Sequence, residues 1–223
     1  MSSPPLLSRP KVKSFPLAPR SPWLAAVLQS CPVILAINWC LQGMRGMDRG
    51  EFAFRLGLEA MVWAALTPLA GPLAALLLAH SLNFLLNGQL WVCARYCLIW
   101  HRQPAALDRF LARVVIELRQ LAWLEEAVCI GSRGAAGATR HDRADIDLRL
   151  IAPPGAGGWL KVNLLLLALR ARALVGLIPL DLYAYDSPAS LERFRQDEPL
   201  LVILDRRERI ARHFAGRKIV RLP

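Results

Sequence analysis

Acidic residues are scarce in the first half of this chain, and over one long stretch charge of either sign is missing altogether. Residues 1–102 hold 9 Lys and Arg against 3 Asp and Glu, whereas residues 103–223 hold 19 against 14. From Ala60 to Ala94, 35 residues pass without Asp, Glu, Lys or Arg. Cysteine is sparse too: Cys31, Cys40, Cys93, Cys97 and Cys129 form an odd set with no CxxC pair and no histidines at zinc spacing. That pattern argues against a disulfide framework or a structural metal, so the thiols are expected unpaired, as small hydrophobes, in a reducing compartment. What is present in quantity is apolar. With 55% hydrophobic residues and a formal charge of +11 over 223 residues, a disordered or collagen-like chain is excluded.

Two chemically different regions follow from this asymmetry. Residues 1–20, rich in proline and serine and carrying Arg9, Lys11, Lys13 and Arg20, read as a disordered basic arm. Residues 21–102 read as a helical membrane-associated region with two hydrophobic segments. The first, residues 21–44, is uncharged, has Trp23 and Trp39 towards its ends, and is long enough to cross a bilayer despite Pro32. The second, residues 60–80, follows a charged link and is interrupted at Thr67-Pro68 and Gly71-Pro72, which predicts a kink or break. An amphipathic helix over residues 81–100 comes next, with Asn83 and Asn87 opposite leucines, suited to a membrane surface or a partner. Two crossings, or a re-entrant hairpin that never crosses, both return the chain to its starting side, and the flanking cations favour the cytoplasm for both ends. Glu59 and His80 read as interfacial residues at the edges of the second segment.

Residues 103–223 read as one α+β domain, a small mixed sheet covered by helices. Leu107, Phe110, Leu111, Val114, Leu118 and Leu121 recur at helical spacing; residues 144–152 and 178–185 are strands, 159–175 and 188–197 helices, 200–204 an edge strand, and 206–214 a last helix.

The chemistry gathers where the first strands meet. Asp145 and Asp147, two apart on a strand, present carboxylates to one face, where they repel unless a cation joins them. Hard oxygen donors suit Mg2+ or Mn2+. Gly131-Ser132, closing the preceding strand, offers backbone N–H groups and a hydroxyl to a phosphate. Arg133, Arg140, His141 and Arg143 follow in the loop, and Asp181 lies on a later strand. Three acids, two metals and a Gly-Ser cradle are the parts that in-line phosphoryl or nucleotidyl transfer requires.

An apolar residue, Gly131-Ser132, a gap of twelve, then Asp145-Ile146-Asp147-Leu148, with Asp181 on a strand after the next helix, resembles the DNA polymerase beta-type nucleotidyltransferase superfamily. The resemblance covers about residues 107–205. It implies a minimal nucleotidyltransferase domain in which Asp145, Asp147 and Asp181 are catalytic and bind the metals. Gly131, Ser132, Arg133 and Arg143 would hold the nucleotide, such as ATP. The implied activity is transfer of a nucleoside monophosphate from an NTP to an acceptor. The apolar region points to membrane lipids as partners and to a lipid-linked, saccharide or protein acceptor on the cytoplasmic side. Two other readings use the same residues: a non-catalytic nucleotide-sensing or partner-docking module, and a small membrane-bound glycosyltransferase with a metal-binding Asp-x-Asp. Nucleic acid is not expected as a partner, because the basic tail (Arg206 to Arg221) lacks the interleaved aromatics that stack bases, and anionic headgroups account for the cations that flank the apolar segments.

Overall fold

The computed structural model describes residues 23, 27–28, 30–87, 89–97, 103–130, 146–194 and 200–221. The arm at residues 1–20 lies outside them. Helix α1 (Cys31–Leu41) begins where Pro32 can occupy a first-turn position without losing a hydrogen bond. Within the described residues the 21–44 segment is helical at Trp23, at 27–28 and over α1, with a bend at Ser30. A 3₁₀ turn at Met44–Gly46 leads into α2 (Arg49–Ala70). What reads as a charged link in the sequence is thus the first half of α2. The helix runs through Pro68 and stops at Gly71, whose φ of 76° suits a residue without a Cβ; Pro72 then opens α3 (Pro72–Leu86). Helix α4 (Gln89–Tyr96) completes this region. Among the described residues, α2 is the one helix both long and apolar enough to span a membrane.

The second half has α5 (Pro104–Gln120), β1 (Glu126–Ile130), β2 (Ile146–Ile151), α6 (Ala156–Val175), β3 (Leu180–Tyr185), a 3₁₀ segment at Pro188–Arg193, β4 (Leu200–Asp205), α7 (Arg209–His213) and β5 (Ile219–Arg221). The expected α+β class with a mixed sheet is what forms, in the order β3-β2-β1-β4-β5. β1 runs antiparallel to β2 and β4, while β2–β3 and β4–β5 are parallel. β4 is therefore interior rather than an edge, because β5 extends the sheet beyond it.

Period-two alternation sorts the strand residues onto two faces. Ile146, Leu148, Leu150, Leu180 and Leu182 pack under α5 and α6 with Leu107, Phe110, Val114, Leu166 and Leu169. The opposite face sets Ile151, Tyr183, Tyr185, Val128 and Val202 against Leu191, Ile210 and Phe214, and Met47 from the first half joins this second core.

The two halves interlock. Trp159 Nε1 at the start of α6 donates to the Gly50 carbonyl at 2.7 Å, and Gly50 N donates to Asp186 Oδ2 at 3.3 Å. A Cβ at Gly50 would stand 2.5 Å from Asp186 Oδ1, so a larger residue would push that carboxylate aside. Asp48 Oδ2 accepts from Asp186 N at 2.9 Å. Asn83 and Asn87 also face inward: the polar stripe of the 81–100 segment contacts protein, while Leu82 on the other side is exposed. Finally, Cys31 and Cys97 form a disulfide with Cα atoms 5.1 Å apart, which overturns the expectation of unpaired thiols. Helix packing brings them together across 66 residues, a pairing no local spacing discloses. Cys40, Cys93 and Cys129 are not disulfide-bonded.

Candidate active site

Asp147 lies on β2 directly across from Asp181 on β3, and directly across from Ile130 at the end of β1 on its other side. Parallel neighbours in register project side chains to the same face, so the carboxylates of Asp147 and Asp181 share the face that α5 and α6 leave uncovered. Gly131, Ser132, Arg133, Arg140, His141, Arg143 and Asp145 lie outside the described residues. In the sequence Gly131 follows Ile130 and Asp145 precedes Ile146.

Arg149, two residues beyond Asp147 and on the same face, joins the two acids. Its Nη2 is 2.8 Å from Asp181 Oδ2 and 3.6 Å from Asp147 Oδ1, and Nη1 donates to the Asp181 carbonyl at 2.5 Å. The guanidinium is buried, stacked 4.8 Å from the Tyr183 ring centroid and 5.2 Å from that of Phe194. Burial alone would lower its pKa, but the carboxylates of Asp181 and Asp147 outweigh burial and hold it above the ordinary arginine value. Burial raises the pKa of Tyr183, and Asp181 beside it adds to the rise.

Behind this pair lies a second buried cluster on the outer edge of β3. Ile146 N donates to Pro179 O and Ala152 N to Tyr185 O, so the odd-numbered carbonyls of β3 face β2 and Leu182 O and Ala184 N face away from the sheet. Those outward groups are taken up by side chains: Ala184 N donates to Glu51 Oε2 at 2.7 Å, and Arg170 donates to Leu182 O. Arg170 Nη2 also meets Glu51 Oε1 at 2.5 Å, and Arg170 Nη1 donates to Asn87 Oδ1 at 3.1 Å. Arg55 donates to Glu51 and, at 3.0 Å, to the Gln42 carbonyl. Burial and the neighbouring Arg55 lower the Arg170 pKa to about 10, with Glu51 opposing. Arg55, Arg149 and Arg170 all approach the Tyr183 ring, at 5.5, 4.8 and 6.0 Å, so one aromatic joins the acid pair to the anchor of α2.

Arg149 and Tyr183 were within reach of the sequence, since the alternation that groups Asp145 with Asp147, and Asp181 with later strand residues, also includes them. Glu51 and Arg170 are 119 residues apart and carry no such signal.

The donor set fits a divalent cation. Two carboxylates in register supply hard oxygens, and one guanidinium offsets only part of their charge. Among the described residues no group of three His, Cys, Asp or Glu side chains gathers; the third acid the sequence adds to this end of β2 is Asp145. A groove of about 660 Å³ lined by Arg109, Arg113 and Arg172 lies between α5 and α6. It sits on the helix-covered side of the sheet, away from the acids, and does not serve them. Comparison with family models, curated proteins and solved structures finds no match for the chain.

Proposed function

We propose that this chain is a membrane-associated, divalent-metal-dependent nucleotidyltransferase, moving a nucleoside monophosphate from an NTP to a lipid-linked, saccharide or protein acceptor on the cytoplasmic side. The observation that carries the reading is the direct register of Asp147 with Asp181, opposite the residue that precedes Gly131-Ser132. Asp147 and Asp181 thereby share one end of one sheet, and in the sequence Gly131-Ser132 directly follows β1 and Asp145 directly precedes β2.

In this reading Asp145, Asp147 and Asp181 hold Mg2+ or Mn2+. When bound, the cation neutralises the phosphates and stabilises charge on the leaving pyrophosphate. Gly131 and Ser132 donate hydrogen bonds to phosphate oxygens, while Arg133 and Arg143 offset the triphosphate charge. Asp181 takes the proton of the acceptor hydroxyl as its oxygen bonds to the α-phosphorus and the bond to pyrophosphate breaks. Arg149 pairs with Asp147 and Asp181 and orients them.

The test is transfer of label from each α-labelled NTP to detergent-solubilised membranes with Mg2+. Asp147→Asn and Asp181→Asn should each lower transfer by about a thousandfold, roughly 4 kcal/mol of barrier. Label transferred equally by those variants would overturn the assignment. A second reading, a non-catalytic nucleotide-binding module, gains from Arg149 bridging the two acids. It requires wild type to bind NTP without transferring label.

A further inference from the structure

Helices α2 and α3 pair as an antiparallel hairpin whose charged residues all lie towards its base, where Phe52, Leu56 and Leu82 are also exposed. Its base is fixed by Glu59, which meets His80 Nδ1 at 2.8 Å and accepts from Asn83 Nδ2 at 2.7 Å. The His80 Nε2 in turn donates to the Trp39 carbonyl at 2.9 Å, as that oxygen can only accept. Beyond this level every residue to the turn is uncharged, and Met61, Leu69, Leu73, Leu76, Leu77 and Leu78 are exposed. A soluble protein does not usually leave so large a contiguous apolar surface to water.

The length of the hairpin decides what covers it. Ala60–Ala70 on α2 is eleven residues, or about 16 Å of helix at 1.5 Å per residue, and Pro72–Ala79 on α3 is eight, or about 12 Å. The hydrocarbon core of a bilayer is about 30 Å thick. Each arm therefore reaches about halfway. The full length of α2 would suffice for a crossing, but its first turns are committed elsewhere: Glu51 and Arg55 are buried on the edge of β3, and Gly50 is held by Trp159 and Asp186. At the other end the chain leaves α3 through Asn87, which is bonded to Arg170 of the sheet domain. Both ends of the hairpin are thus fastened to one folded unit.

The turn itself suits hydrocarbon. It spends a single residue, Gly71, whose N–H donates to Thr67 O at 3.0 Å, and Pro68 and Pro72 have no N–H to satisfy. Trp63 Nε1 donates across the hairpin to the Pro72 carbonyl at 2.9 Å, and Thr67 Oγ1 to the Trp63 carbonyl at 2.7 Å. Polar groups near the tip find partners within the hairpin, as a lipid surround demands.

We infer that α2 and α3 form a monotopic hairpin that enters one leaflet of a lipid bilayer, ends near its midplane and does not cross. This deepens the membrane association proposed above and is independent of nucleotidyl transfer. It places the sheet domain and both ends of the hairpin on the same side, at the level of the headgroups.

The experiment uses the full chain carrying Cys40→Ser and Leu69→Cys, bound to phosphatidylcholine–phosphatidylglycerol vesicles; Leu73→Cys repeats it at the other arm should the first variant fold poorly. The expected result is loss of labelling by an impermeant maleimide supplied on either side, and stronger quenching of an attached fluorophore by a nitroxide at the acyl-chain end than by one at the headgroup. Labelling from the side opposite the sheet domain overturns the hairpin while leaving membrane association standing. A chain that stays in the aqueous fraction, with the apolar face covered by a second protein, overturns both.

Discussion

The two halves of α2 invert the usual rule of burial. In its first turns Glu51 is 1% exposed and Arg55 4%, while towards its end Met61 is 65% and Leu69 84% exposed. One helix thus buries its charges and displays its leucines. The difference teaches that the two halves meet different surroundings. The first half supplies the Glu51 carboxylate, backed by Arg55, to a sheet edge whose Ala184 N–H would otherwise be unpaired in a protein interior. Among the described residues the second half is covered by α3 on one side alone, and in our reading hydrocarbon covers the rest.

The comparison breaks most completely on removal of residues 1–102. That deletion strips Glu51 from Arg170, Met47 from the second core and the cover from β3. We expect residues 103–223 alone to lose cooperative unfolding, read by near-ultraviolet circular dichroism; a soluble fragment with a sharp transition would show that the halves are separable. Next in size, Arg170→Met in the full chain leaves Glu51 buried with Arg55 alone, and should cost about 3–5 kcal/mol in denaturant unfolding. A loss below about 1 kcal/mol would mean that Arg55 suffices. Leu69→Arg sharpens the other half of the contrast. Its effect on folding should stay within about 0.5 kcal/mol, while vesicle partitioning falls by about 2.5–3.5 kcal/mol, near a hundredfold. Equal partitioning would place the tip outside the hydrocarbon.

The smallest effect concerns pH. Tyrosines in the unfolded chain ionise near 10.0, whereas burial raises the pKa of both Tyr183 and Tyr185 in the fold. The unfolded state therefore releases these protons first, and stability that is complete below pH 10 declines as the pH climbs through it. Arg170, whose pKa burial lowers to about 10, acts in the opposite sense over the same window and moderates the loss. Ultraviolet absorbance should show two of the three tyrosines withheld from ionisation at pH 10 until denaturant is added; free titration of all three would contradict their burial.

Much of the sheet was legible because alternation is local: ADIDLRLIA and IPLDLYAY announce strands, and Asp147 and Asp181 share one face of the fold. The break at Gly71 was legible for the same reason, as glycine and proline act on their own backbone. Arg149 was open to the same argument and was missed, because a basic residue two places beyond an acid reads as solvated until its burial is known. The Glu51–Arg170 pair, the Cys31–Cys97 bridge and the inward turn of Asn83 and Asn87 depend on how helices pack across the chain. No spacing encodes that. β5, at three residues, is too short to produce a pattern.

The capped flank of β3 also gives the sheet a direction of growth. With Leu182 and Ala184 occupied by Arg170 and Glu51, no further strand can add there, from this chain or another. Extension is confined to the far flank at β5, whose three residues present only a brief ladder. Any assembly of these molecules through their sheets must therefore be one-sided: two copies can meet β5 to β5, and a third finds no strand left to join.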